Sequence, residues 1–170
     1  GKTQMEISQI NYDSRKIGLG DLFVAMKGYA QDGHDFIEDA VSRGAAAILS
    51  DLPPGSAIQK LNRRPNQLPT FLQVADSRRA LSQLGAAFYE NPFRNMNLIG
   101  ITGTNGKTTT SYLLESILVA AGRKPGVMGT INHRVSSSVL KSSVTTPESL
   151  DLMKILREMA DHSATDVVME

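Results

Sequence analysis

The sequence holds no cysteine, no long apolar run and almost no net charge. Each absence removes a class of function. Without cysteine there are no disulfides and no thiolate metal sites. No apolar stretch approaches the ~20 residues of a membrane helix, so membrane insertion is not expected. The opening GKTQMEISQI lacks the apolar segment of a signal peptide. Eighteen basic residues against seventeen acidic ones give +1, which leaves no electrostatic footprint for nucleic acid. Fourteen glycines and seven prolines in 170 residues are an ordinary share, so collagen-like and low-complexity chains are excluded as well. What is present is an apolar fraction of 41%, enough to bury a core. The reading at this level is a soluble α/β chain.

Charge does not divide the chain: residues 1–94 carry eleven basic and ten acidic groups, and residues 95–170 carry seven of each. Punctuation does. Pro92 disfavours a helical Asn91 and has no N–H to give, so a linker is expected at 91–96, with domains at 1–94 and 95–170. In the first, Asp21–Lys27 reads as a strand and His34–Arg43 as a helix stopped by Gly44. Ala45–Ser50 and Thr70–Val74 read as buried strands. Asp76 is positioned to cap a helix whose Ala80, Leu81, Leu84, Ala87 and Phe88 form one stripe. Residues 52–69 read as loop around a short helix. In the second, Asn97–Thr102 is a strand and Lys107–Ala121 a helix with Leu113, Leu114, Ile117, Leu118 and Ala121 inward. A strand at Lys124–Met128, a polar Ser-rich stretch at 131–143, a helix at Pro147–Met159 and a strand from Asp166 follow. Strand–helix alternation predicts a mainly parallel sheet, and no internal repeat is present.

The strongest motif is GITGTNGKTTT at Gly100–Thr110, which follows a strand and opens a helix. Gly103 and Gly106 let the backbone turn its N–H groups towards an anion, and the positive end of the helix adds to that field. Lys107 supplies a mobile cation for phosphates, and the Thr108 hydroxyl can ligate Mg²⁺. The fit to G-x-x-x-x-G-K-[ST] is imperfect, since Ile101 stands where its first glycine belongs. A GTPase is excluded by the lack of Asn-Lys-x-Asp, and a nucleotide-binding module without chemistry stays open.

The loop variant Thr102–Thr109 resembles that of the Mur ligase family, ATP-dependent amino-acid ligases of bacterial peptidoglycan synthesis. Asp13-Ser14-Arg15, Gly20–Ala25 and Asp32-Gly33-His34 resemble the family's N-terminal uridine-nucleotide domain. Met128-Gly129-Thr130 and Thr145-Thr146-Pro147 are similar to the member that adds the third amino acid, rather than to the dipeptide-adding member. The resemblance implies a small mixed α/β domain, then the opening part of a P-loop central domain. It implies ATP as co-substrate with Mg²⁺ as cofactor. The partners implied are UDP-N-acetylmuramoyl-L-Ala-D-Glu and a diamino acid, either meso-diaminopimelate or L-lysine, in a monomer of the bacterial cytoplasm. Lys107 would be catalytic, and Gly103, Thr104, Asn105, Gly106, Lys107, Thr108 and Thr109 would hold ATP. Ser14, Tyr29, Ala30, Gln31, Thr145 and Thr146 would hold the UDP-linked substrate, and Thr108 with Glu170 the metal.

Plainer roles compete for several of these residues. Thr146-Pro147 suits an N-cap and N1 pair. Ser14 suits an Asx turn begun by Asp13. His34 suits a helix start, and His133 and His162 read as solvated. The family's later motifs do not occur before Glu170, so the 170 residues read as a fragment unable to complete the ligation alone. The strand ending at Glu170 is expected to leave a sheet edge exposed.

Overall fold

Four short apolar runs in the first half find one another as parallel strands: β1 (Ile10–Asn11), β2 (Leu22–Val24), β3 (Ala47–Ser50) and β4 (Thr70–Gln73). They lie in the order β1-β2-β3-β4. The structure is a computed structural model and describes residues 5–28, 31–59, 61, 68–130, 133–135, 138–140 and 147–170. It divides into two compact units, Gly1–Gln83 and Leu84–Glu170. β2 and β3 are buried along their whole length, which is why LFV and AIL read as continuous apolar runs without alternation. Phe23, Ile37, Ala40, Ile48 and Ala57 are the sealed centre of this core. Among the described residues β4 pairs only with β3, and as an edge strand it leaves Leu72 44% exposed rather than buried as the sequence suggests.

Helices close the first unit. The helix expected over 34–43 is split into a 3₁₀ turn at Gly33–Phe36 and α1 (Ile37–Ser42), because the Asp32 side chain caps the His34 amide. The short helix of the loop-rich segment is α2 (Pro54–Gln59). Asp76 caps α3 (Ser77–Phe88) by accepting from the Arg79 amide at 2.9 Å. Leu81 is wholly buried, but the stripe does not run to the end of α3: Ala87 is exposed, and Phe88 meets Tyr89 edge-on at the surface.

The second unit is built on β5 (Asn97–Gly100), β6 (Pro125–Met128), β7 (His133–Val135), β8 (Ser138–Leu140) and β9 (Asp166–Met169), with α4 (Lys107–Ala120) and α5 (Ser149–Asp161). The sheet order is β5-β9-β6-β7-β8. β9 is parallel to both β5 and β6, so the last strand is interior and the expected open edge does not fall there. The polar stretch after β6 is an antiparallel extension, β7 and β8. Alternation along β7 sends Val135 into the core with Leu156 and Met159 of α5 and turns Arg134 to the other face. There Arg134 pairs with Glu115 of α4 at 2.7 Å and stacks 4.2 Å over the Tyr112 ring. On α4 the inward reading is corrected. Leu113 and Ile117 are 60% and 63% exposed, Ala121 is exposed, and only Leu114 and Leu118 are half-buried. Apolar residues run nearly all round α4, while the sheet covers one side of it.

Four helices end alike. After α1, α3, α4 and α5 the chain enters the left-handed region at Gly44, Glu90, Gly122 and Ser163, with φ of 107°, 59°, 73° and 62°. Each end carries the paired bonds of a Schellman turn, such as Ser163 N–H to Ala160 O and Ala164 N–H to Met159 O.

Candidate functional site

The P-loop leaves β5 with Ile101 N–H still bonded to Met169 O at 2.7 Å, so its root is fixed to β9. Gly103 and Gly106 hold φ of 151° and 80°, backbone that side-chain-bearing residues rarely adopt. Gly106 is the N-cap of α4, and the first bond into the helix runs from Thr110 N–H to Gly106 O. The amides of Lys107, Thr108 and Thr109 therefore have no acceptor inside the helix. Lys107 Nζ donates to Gly103 O at 2.8 Å, which folds the ammonium back across the loop.

Sixty-two residues later in the chain, Glu170 comes up beneath this loop from the end of β9. Its backbone N–H is held by Met128 O at 2.9 Å. Three hydroxyls converge on its carboxylate: Thr108 at 3.0 Å and Thr130 at 2.9 Å on Oε2, and Ser111 at 3.1 Å on Oε1. Burial at the strand end pushes the Glu170 carboxyl up, but the hydroxyls of Thr130, Thr108 and Ser111 together hold it below its ordinary value. It stands as a carboxylate.

Among the described residues no cluster of three or more His, Cys, Asp or Glu could hold a metal. A cation here would rest on one carboxylate, the Thr108 hydroxyl and oxygens from a nucleotide and water. That is the coordination magnesium takes, so Thr108 and Glu170 fit it. Sequence reasoning missed Ser111 as a partner of Glu170. Thr130 lay in the quoted Met128-Gly129-Thr130 stretch, but nothing in its spacing tied it to the carboxylate.

At the carboxyl edge of the first sheet, Ser14 sits in an Asx turn begun by Asp13, whose Oδ1 accepts from the Arg15 amide at 3.1 Å. Ser14 is buried, and its hydroxyl is the largest influence holding the Asp39 carboxyl of α1 below its usual range. After β2 the chain makes a tight reversal, with Lys27 bridged to Asp32 and Gly28 N–H bonded to Gln31 O at 2.9 Å. A Cβ on Gly33 would stand 2.6 Å from Met26 O, so only glycine fits there. Gln31 is exposed at this turn. Tyr29, Ala30, Thr145 and Thr146 lie outside the described residues. The N-cap of α5 is Glu148, whose side chain accepts from the Ser149 amide at 3.1 Å, so the cap expected at Thr146 is made two residues later.

His34 and His133 are both buried rather than solvent-facing or merely capping. Burial pushes the His133 imidazole down, and its Nδ1 finds no partner among the described residues. His162, at the C-cap of α5, is exposed.

The sequence pattern described as "Mur ligase family, catalytic domain" matches residues 6–89, and "Mur ligase middle domain" matches residues 101–170. The chain is 42% identical over 172 residues to the UDP-N-acetylmuramoyl-L-alanyl-D-glutamate--2,6-diaminopimelate ligase 1 of Clostridium acetobutylicum. That match takes in all of this chain and 33% of the relative. The corresponding ligase of Geobacter metallireducens is also 42% identical, over 170 residues, all of this chain and 32% of the relative. The chain thus spans about a third of the length of these curated relatives. Among solved structures, a 2,6-diaminopimelate ligase of the same description shares the fold with TM-score 0.73 at 24% identity, over 95% of this chain and 31% of that one. MurF from Acinetobacter baumannii matches with TM-score 0.60 at 30% identity, over 98% of this chain and 31% of that one. The glycine loop over a half-buried strand-end carboxylate and the two matched patterns agree: the chain belongs to the Mur ligase family.

Proposed function

We propose that this chain carries the UDP-substrate and ATP-binding parts of a ligase that adds meso-diaminopimelate to UDP-N-acetylmuramoyl-L-Ala-D-Glu. The observation that carries the reading is the convergence of Thr108, Ser111 and Thr130 on Glu170 beneath the Lys107 loop. The names of the relatives supply the amino acid. Residues 1–94 would hold the UDP-linked substrate, through Ser14, Tyr29, Ala30 and Gln31, with Thr145 and Thr146 contributing from beyond. Residues 95–170 would hold ATP.

The chemistry needs a carboxylate and a terminal phosphate brought in line with their mutual repulsion cancelled. The exposed amides at the start of α4 and the Lys107 ammonium would take the phosphate charge. To do so Lys107 exchanges the Gly103 carbonyl for a phosphate oxygen. Thr108 and Glu170 would hold Mg²⁺, which supplies charge neutralisation on the nucleotide when bound. Transfer of the terminal phosphoryl group of ATP to the free carboxylate of the substrate gives an acyl phosphate and leaves ADP. The amine of the diamino acid attacks its carbonyl, forming the amide and releasing phosphate. The bacterial cytoplasm is the compartment where these substrates meet. No helix among the described residues is long and apolar enough to cross a membrane.

The test is phosphate release by the uninterrupted gene product given ATP, Mg²⁺ and UDP-N-acetylmuramoyl-L-Ala-D-Glu. Release that requires meso-diaminopimelate supports the proposal, and release that requires L-lysine keeps the ligase but changes its third substrate. Release only with the tripeptide precursor and D-Ala-D-Ala assigns the chain to the dipeptide-adding enzyme.

A further inference from the structure

His34 is the one imidazole of the first unit, and its side chain is 4% exposed. Its Nδ1 lies 2.5 Å from Asp32 Oδ1. A carboxylate can only accept, so Nδ1 carries the proton. Its Nε2 lies 3.0 Å from Asp51 Oδ1, close but off the line a hydrogen bond needs. Asp51 in turn accepts from Ser77 Oγ at 3.3 Å, and Arg78 of the same helix donates to Lys27 O at 3.2 Å. These residues belong to the turn after β2, the bend after β3 and the start of α3 after β4. A line of polar groups therefore crosses the carboxyl edge of the sheet, with His34 buried at its centre between two part-exposed carboxylates. Ligands of parallel α/β sheets bind outside that edge. A position needed only for packing would be served by an apolar residue, without the cost of burying an imidazole beside two carboxylates. The ring fixes the downstream stem of the Lys27–Asp32 turn, while Arg78 fixes the upstream stem.

We propose that His34, hydrogen-bonded to Asp32, is a positioning residue that presets the Lys27–Asp32 turn for a uridine nucleotide. The inference rests on the assignment of that turn to the UDP-linked substrate. His34 touches no ligand itself; it acts through Asp32. The consequence is a selective one, because the P-loop makes no use of this chain of contacts.

The experiment is calorimetric titration of the 170-residue chain with UDP and, separately, with ATP and Mg²⁺. In His34→Ala the Kd for UDP rises about tenfold, the value of one hydrogen bond to a charged group, while the Kd for ATP stays within about twofold. His34→Gln, whose amide can still donate to Asp32, returns the UDP Kd to within about threefold of wild type. A folded His34→Ala that binds UDP as tightly as wild type overturns the proposal, as does an equal loss of UDP and ATP. If circular dichroism shows His34→Ala unfolded, His34→Phe, which fills the space but cannot donate to Asp32, decides: undiminished UDP binding there overturns the proposal. A wild-type chain that binds ATP but no UDP removes the uridine assignment itself, and the role of His34 with it.

Discussion

Two carboxylates sit at the two ends of β9, four residues apart, and they live in opposite electrostatic worlds. Asp166 opens the strand buried at 3% exposure and is saturated by cationic and polar donors. Arg123 reaches it at 2.7 and 2.9 Å, Asn97 of β5 at 2.9 Å and Thr165 at 2.7 Å. The Arg123 guanidinium holds its carboxyl well below the usual carboxylate range. Glu170, just past the other end, is met by three hydroxyls and no cation among its described hydrogen bonds. Hydroxyls orient a carboxylate without cancelling its charge. One end of the strand is therefore a staple, and the other keeps an uncancelled charge, where we propose that Mg²⁺ sits.

The largest effect should separate the two ends outright. Asp166→Ala is expected to cost about 3 kcal/mol of unfolding free energy in urea titration, through the loss of a buried charge-assisted hydrogen-bond set. Arg123 is 42% exposed, so its Coulombic share is screened and the figure stays at that level. Glu170→Gln should leave stability within about 1 kcal/mol. The same substitution should weaken ATP binding about tenfold in Mg²⁺ and hardly at all in EDTA. An Mg²⁺-independent loss would break the contrast.

Acid sharpens it further. A carboxyl depressed in the folded state adds stability above its unfolded value, about 3.9, which is lost as pH falls through the folded value. The stability gap between wild type and Asp166→Asn should be full at neutral pH and shrink as pH drops below about 4. A gap that holds constant into strong acid would show that the charge is not what staples the strand. The smallest effect tests the backbone that delivers Asp166. Ser163 is held in left-handed geometry that glycine adopts freely, so Ser163→Gly should stabilise by about 1 kcal/mol in thermal unfolding.

The elements were legible where a local signal existed. Asp76 before an apolar stripe, Gly44 and Gly122 after one, and a glycine loop between strand and helix each state their structure within a few residues. The β7–β8 extension was not legible, because His133 counts as polar in a pattern yet is buried, which hides the alternation of β7. The half-bare face of α4 was missed for a different reason: periodicity reports which residues are apolar, not how much sheet is there to cover them. In the site, Lys107 and Thr108 are written in the motif itself. The hydroxyls of Ser111 and Thr130 and the reach of His34 to Asp51 depend on strand register and helix placement, for which sequence spacing carries no mark.

Gly126 of β6 has no side chain, and Met159 of α5 fills that space: a Cβ there would stand 2.7 Å from the sulfur. Met159 is wholly enclosed, with its thioether pressed against the main chain of the sheet. An oxygen added to that sulfur has nowhere to go while α5 remains docked. The native unit thus shields this methionine from peroxide, and a sulfoxide at Met159 becomes a chemical record that the unit had opened before it was oxidised.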